Sequence, residues 1–117
     1  MVGISFSTLD APYRDTVFHG AIASLENATM TFFWAGEEPR LGTLTVTLPD
    51  RSSSSLLGDR DRQMGLILGA RLSALTSKMA LVSTNLPEGV DDEAGKVLLD
   101  LAQRLLENLK ESGEQNE

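Results

Sequence analysis

The chain has 117 residues, a length that suits one domain with its own core and leaves little room for a second. Its 17 acidic and 10 basic residues give a formal charge of −7, which disfavours phosphate-rich partners such as generic nucleic acid or an anionic membrane. The absence of cysteine excludes disulfides, cysteine-bearing zinc sites and thiol nucleophiles, and makes a reducing intracellular compartment the simple reading.

In chain order, Val2 to Leu9 reads as a short first strand and Asp10-Ala11-Pro12 as a turn. Tyr13 to Ser24 is compatible with a strand, with Val17, His19 and Ala21 on one face and Phe18, Gly20 and Ile22 on the other. Glu26-Asn27 reads as a hairpin turn. Ala28 to Ala35 is the clearest strand, with Met30, Phe32 and Trp34 opposite Thr29, Thr31 and Phe33. After the turn signal Gly36-Glu37-Glu38-Pro39, Gly42 to Leu48 alternates Leu44, Val46 and Leu48 with Thr43, Thr45 and Thr47, and Pro49 ends it. Three consecutive strands with short turns predict an antiparallel meander.

Asp50 to Ser55, with its serine run, reads as a mobile loop. A helix is expected from Gly58 or Asp59 to Thr76, on a stripe of Met64, Leu68, Leu72 and Leu75. Leu66, Ala70 and Ser73 fall opposite that stripe, small enough for another helix to approach. Lys78 to Thr84 is a further strand, and Asn85 to Gly89 a loop. Asp91 or Asp92 caps a last helix, buried along Ala94, Leu98, Leu101, Leu105 and Leu109 and ending near Glu111 at Gly113. The fold class is therefore α+β: an antiparallel sheet of about five to six strands with two helices on one face. Residues 1–111 form one domain, and 112–117 an acidic tail expected to be disordered. Phe32, Trp34, Leu44, Val46, Leu98, Leu101 and Leu105 are expected in the core. The second sheet face carries little charge and reads either as a Thr-rich solvated face or as one covered by a partner.

Tests for catalytic chemistry come back empty. His19 is the one histidine, and no Gly-x-Ser-x-Gly elbow accompanies it. The carboxylates at Asp59/Asp61 and Asp91/Asp92/Glu93 are too sparse for a calcium loop and fit helix capping better. Gly65 and Gly69 stand four apart without a phosphate-loop ending, which in a soluble helix reflects close packing or local weakness more often than a membrane dimer. Arg51, Arg60, Arg62 and Arg71 sit among Asp50, Asp59 and Asp61 and read as a solvated mixed-charge surface. The expectation is a non-enzymatic protein with no cofactor and no metal.

An ordered set of motifs carries more. Thr31-Phe32-Phe33-Trp34-Ala35-Gly36 precedes Pro39-Arg40-Leu41 and Leu44-Thr45-Val46-Thr47. Ser55-Leu56-Leu57-Gly58-Asp59, Ala70-Arg71-Leu72 running to Lys78, and Val82-Ser83-Thr84-Asn85-Leu86 follow. This series, from Thr29 to Leu109, resembles the proteasome assembly chaperone four family as an ordered set around the Leu-Leu-Gly-Asp core, with no single motif decisive; the N-terminal third matches more vaguely. The resemblance implies a small antiparallel sheet with helices and no nucleotide or metal. It also implies a heterodimer with a proteasome assembly chaperone three-like partner. That pair binds a proteasome α-subunit and helps build the α-ring of the 20S core particle, in the cytoplasm or the nucleus, with no nucleic-acid or membrane partner. Strand alternation places Phe33, Thr43, Thr45, Thr47, Val82 and His19 at the chaperone pairing face, and the loop at Asp50 to Leu57 is the candidate for α-subunit contact. The competing reading is a small homodimeric scaffold domain that uses the same sheet face and has no proteasome role. A third, an enzyme of unfamiliar type, requires a deep polar pocket around His19.

Overall fold

A computed structural model describes residues 3–87 and 91–115, with side chains as far as Lys110. Six strands and two helices follow one another: β1 (Ser7–Tyr13), β2 (Thr16–Ser24), β3 (Ala28–Ala35), β4 (Thr43–Thr47), β5 (Ser53–Leu57), α1 (Arg62–Thr76), β6 (Met79–Asn85) and α2 (Asp92–Gln115). The strands form one sheet in the order β1-β2-β3-β6-β4-β5. All pairings are antiparallel except β3 with β6, which run parallel. The expected α+β class with both helices on one face is the observed one; the sheet is mixed.

The meander stops after β3. β6, delivered by α1, enters the slot between β3 and β4, so β4 pairs with a strand far along the chain. Gly42 makes this junction possible. A Cβ there would lie 2.0 Å from the Thr84 carbonyl oxygen, while the Gly42 N–H donates to Ser83 Oγ at 2.9 Å. No local signal announces such a non-local partner.

Segment boundaries also shift, and α1 starts at Arg62, later than the expected Gly58 or Asp59. Asp10, Ala11 and Pro12 continue β1 instead of turning, and Arg14, at positive φ, makes the turn. Pro12 is tolerated because β1 is an edge strand. The serine run forms the opposite edge strand, β5. It is held by a tight turn in which Arg51 takes a positive φ and the Asp50 carboxylate accepts from Ser52 N at 2.8 Å. Serine has little strand propensity, so this strand is stabilised by the turn and by pairing with β4. α2 continues past Gly113 to Gln115, beyond the expected end at Glu111. Val2, part of the Asn85–Gly89 loop, and Asn116 and Glu117 of the tail lie outside the described residues.

α1 lies over β4 and β6, and α2 over β1 and β2. Between helices and sheet sit Phe18, Ile22, Phe33 and Val82 from the sheet, Leu68 and Leu72 from α1, and Leu98, Leu101 and Leu105 from α2, all fully buried. The Asp91 carboxylate caps α2 by accepting from Ala94 N at 2.9 Å, as expected. The same carboxylate accepts from Tyr13 Oη at 2.7 Å and Arg14 Nη2 at 3.0 Å, tying the β1–β2 turn to the helix end.

Candidate functional site

The two faces of the sheet are occupied in the reverse of the expected sense. Thr29, Thr31, Thr43, Thr45 and Thr47 lie with Phe33 and Val82 on the helix-covered face, each at most 5 % exposed. Of the residues expected at a partner interface, Phe33, Thr43, Thr45, Thr47 and Val82 are therefore enclosed by the chain's own helices. Only His19 lies on the other face, where the register sets it beside Trp34. Phe32, Trp34, Leu44 and Val46, expected in the core, are half-buried on the open face; Leu98, Leu101 and Leu105 are core as expected.

The reversal follows from side-chain volume above the sheet. α1 presents Gly65 and Gly69 to β4. A Cβ at Gly69 would stand 2.6 Å from Thr47 Oγ1, and one at Gly65 would stand 3.0 Å from Thr45 Oγ1. A helix that close to β4 leaves room there for threonine and not for leucine. The Thr29, Thr31, Thr47 and Thr84 hydroxyls lie buried without a hydrogen-bond partner among the described residues, while Thr43 donates to the Arg60 carbonyl. The pattern Gly-x-x-x-Gly contained this information; its partner on the sheet was not readable.

The open face is built from three lateral rows set by strand register. One runs Asp10, His19, Trp34, Asn85; the next Thr8, Ala21, Phe32, Ser83, Leu44; the third Ala23, Met30, Leu81, Val46. Among the described residues no helix covers them. Apolar side chains dominate the middle of the face, and charge is confined to its β1 edge. Phe6, just before β1 and 48 % exposed, reaches over Phe32 with ring centroids 6.0 Å apart. His19 stacks on Trp34 at 5.4 Å, and its Nδ1 lies 2.6 Å from Asp10 Oδ1. This gives the patch an aromatic centre and a polar corner, the composition of a protein-docking surface.

Among the described residues, open grooves lie elsewhere, along α1 and around Gly58, and His19 lines none of these. Among the described residues no group of three or more His, Asp or Glu is placed to hold a metal, and no helix is long and apolar enough to cross a membrane.

Fold and face together define a two-layer α+β domain with one sheet face left uncovered. A chain in the crystal structure of a novel chaperone complex for yeast 20S proteasome assembly shares this fold: the TM-score is 0.64 at 14 % identity, over 92 % of this chain and 95 % of that one. No protein-family model and no curated protein matches the sequence.

Proposed function

We propose that the protein is a non-enzymatic proteasome assembly chaperone subunit of the chaperone four type. It pairs through its open sheet face with a related, chaperone three-like small protein, and the pair holds a proteasome α-subunit during 20S α-ring assembly in the cytoplasm or nucleus. The observation that carries this reading is the uncovered apolar face centred on Phe32 and Trp34, on a fold shared with a chain of a yeast 20S assembly chaperone complex. The ordered motifs from Thr31 to Leu86 support the finer assignment. Partner contact would bury the aromatic centre, and the Asp10–His19 corner would sit at a polar rim, which suits an interface that must also release.

Affinity capture from cell extract, read by mass spectrometry, tests the role. A second small chaperone and free α-subunits should co-purify, and Trp34→Asp should lose them. Recovery of mature proteasomes alone, or of none of these proteins, would falsify the assignment. The homodimeric scaffold remains the second reading, because the uncharged middle of the face is chemically compatible with a copy of itself. Sedimentation of the isolated chain separates the two: a stable dimer dissociated by Trp34→Asp favours the scaffold, and a monomer favours the chaperone.

A further inference from the structure

α1 differs from an ordinary surface helix. A helix with one side on a sheet normally turns charged residues to water. In the 15 residues of α1 the only charges are Arg62 and Arg71, and there is no acid, within a chain of net charge −7. Its inner side, Gly65, Leu68, Gly69 and Leu72, is buried. Its outer side shows Ile67, Ala70, Arg71 and Ala74 to solvent, with Ile67 45 % exposed. The small alanines leave a trough along the helix instead of a ridge.

That trough is one wall of an open groove of about 760 Å³. The facing wall is the β4–β5 turn, with Leu48, Pro49 and Arg51, and Leu99 of α2 also lines it. No carboxylate is among the lining residues. Arg51 and Arg71 make no ion pair among the described residues, whereas Arg14, Arg60 and Arg104 each do. Asp50, next to Arg51, is engaged by Ser52 N and Oγ at 2.8 and 2.5 Å. A second, shallower depression continues along α1 past Ile67 and Leu66 to Asp59, Asp61 and Arg62. The surface is thus apolar along its length, cationic at the Arg51/Arg71 end and mixed at the other.

We infer that the outer face of α1 and this groove bind an acidic amphipathic segment of a protein partner. Apolar side chains of that segment would lie over Ile67, Ala70 and Leu48, and its carboxylates would meet Arg51 and Arg71. Charge complementarity selects this occupant. Two arginines with no acid in the groove repel a basic segment and attract carboxylates, and a guanidinium pairs a carboxylate through two parallel hydrogen bonds. The groove lies on the helical side of the sheet, opposite the Trp34 face, so both surfaces can be occupied at once. The molecule can then bridge two proteins. The inference does not depend on who occupies the sheet face.

The test uses the full chain and two fluorescein-labelled peptides of about 18 residues, long enough to hold a helix. Both carry leucines at helical spacing; one is flanked by glutamates, the other by lysines. The glutamate peptide should bind saturably and more weakly as salt rises. Arg51→Glu with Arg71→Glu should weaken it by about tenfold and transfer preference to the lysine peptide. These positions are exposed, so the fold survives, which the thermal melt checks. Amide shifts should cluster on Ile67, Ala70 and Ala74 and spare Trp34. Four results overturn the proposal: no saturation by about 1 mM peptide; affinity indifferent to the double reversal; shifts centred on Trp34; or self-association, or binding to phosphatidylserine vesicles, that Ile67→Asp abolishes while peptide binding is absent.

Discussion

Residues 32 to 34 put the two faces of the sheet side by side. Phe33 points under the helices and is fully buried, while Phe32 and Trp34, its immediate neighbours, point to the uncovered side. Phe18, Ile22 and Phe33 fill the covered layer on β2 and β3, but on β4 the covered side is all threonine, while Leu44 and Val46 face the open side. Hydrophobicity alone ranks the two sides of β4 the other way round. What decides is the closeness of the cover: the glycines of α1 bring it down onto β4, so small β-branched residues fill that layer. Phe32, Trp34, Leu44 and Val46 opposite stay half-buried, and that is the face we propose for docking. An apolar sheet face that no helix covers is a stronger indication of docking than a threonine-rich face without charge.

Substitutions on the two sides should therefore separate stability from association. The largest effect is expected from Phe33→Ala, which empties a fully buried aromatic site and should cost about 3–5 kcal/mol in urea unfolding. Trp34→Ala, one residue on, should cost less than about half of that in the monomer. It should instead weaken partner association by about 30-fold, the ~2 kcal/mol typical of an aromatic anchor, measured by titration calorimetry. If the two variants lose stability equally and bind equally well, the division between the faces fails.

Gly69→Ala sharpens the comparison from the helix side. Helix propensity alone would favour alanine by about 1 kcal/mol. The Cβ would meet Thr47 Oγ1, a stiff β-branched side chain on the sheet, so a net loss of about 1 kcal/mol is expected. Thr47→Ala in the same chain should return most of that loss. A double-mutant cycle without coupling would mean that α1 does not sit as close as described.

The smallest effect concerns the end of α2. Ala94 N–H first, then Tyr13 Oη and the Arg14 guanidinium, favour the ionised Asp91 and hold its carboxyl below the ordinary aspartate value. The folded state then prefers the carboxylate more than the unfolded state does. Its contribution is complete above the ordinary value of about 4 and is lost as pH falls through the lowered folded one. Asp91→Asn should remove that acid-side slope from the stability profile and leave the neutral-pH binding of the sheet face unchanged. The group is at the surface, so the change will be modest. A variant whose acid profile overlays the parent's would separate this cap from acid stability.

Much of the fold was readable along the chain. β3 and β4 alternate with period two, α2 carries a 3.6-residue apolar stripe, and Asp91 announces its start, because these signals are local. β5 was hidden because serine carries no strand signal and a turn at Asp50 to Ser52 supplies the stability. The start of α1 was misplaced because Asp61, its N-cap, takes a left-handed backbone and makes no side-chain capping bond. The site was only half legible. His19 was named as a pairing candidate and lies beside Trp34 on the open face, but the five companions chosen with it are interior.

By itself, then, the sequence determined which residues stand on the same side of each strand, since alternation is a property of the backbone. It also determined the acidic charge, the lack of cysteine and the two helices. It left open which side is inside. That choice needs the partner of each strand and the distance to each helix. Both were decided in three dimensions, by β6 entering between β3 and β4 and by Gly65 and Gly69 lowering α1 onto the threonines. Period two is symmetric between the faces, and only the layer packed on one of them breaks the symmetry.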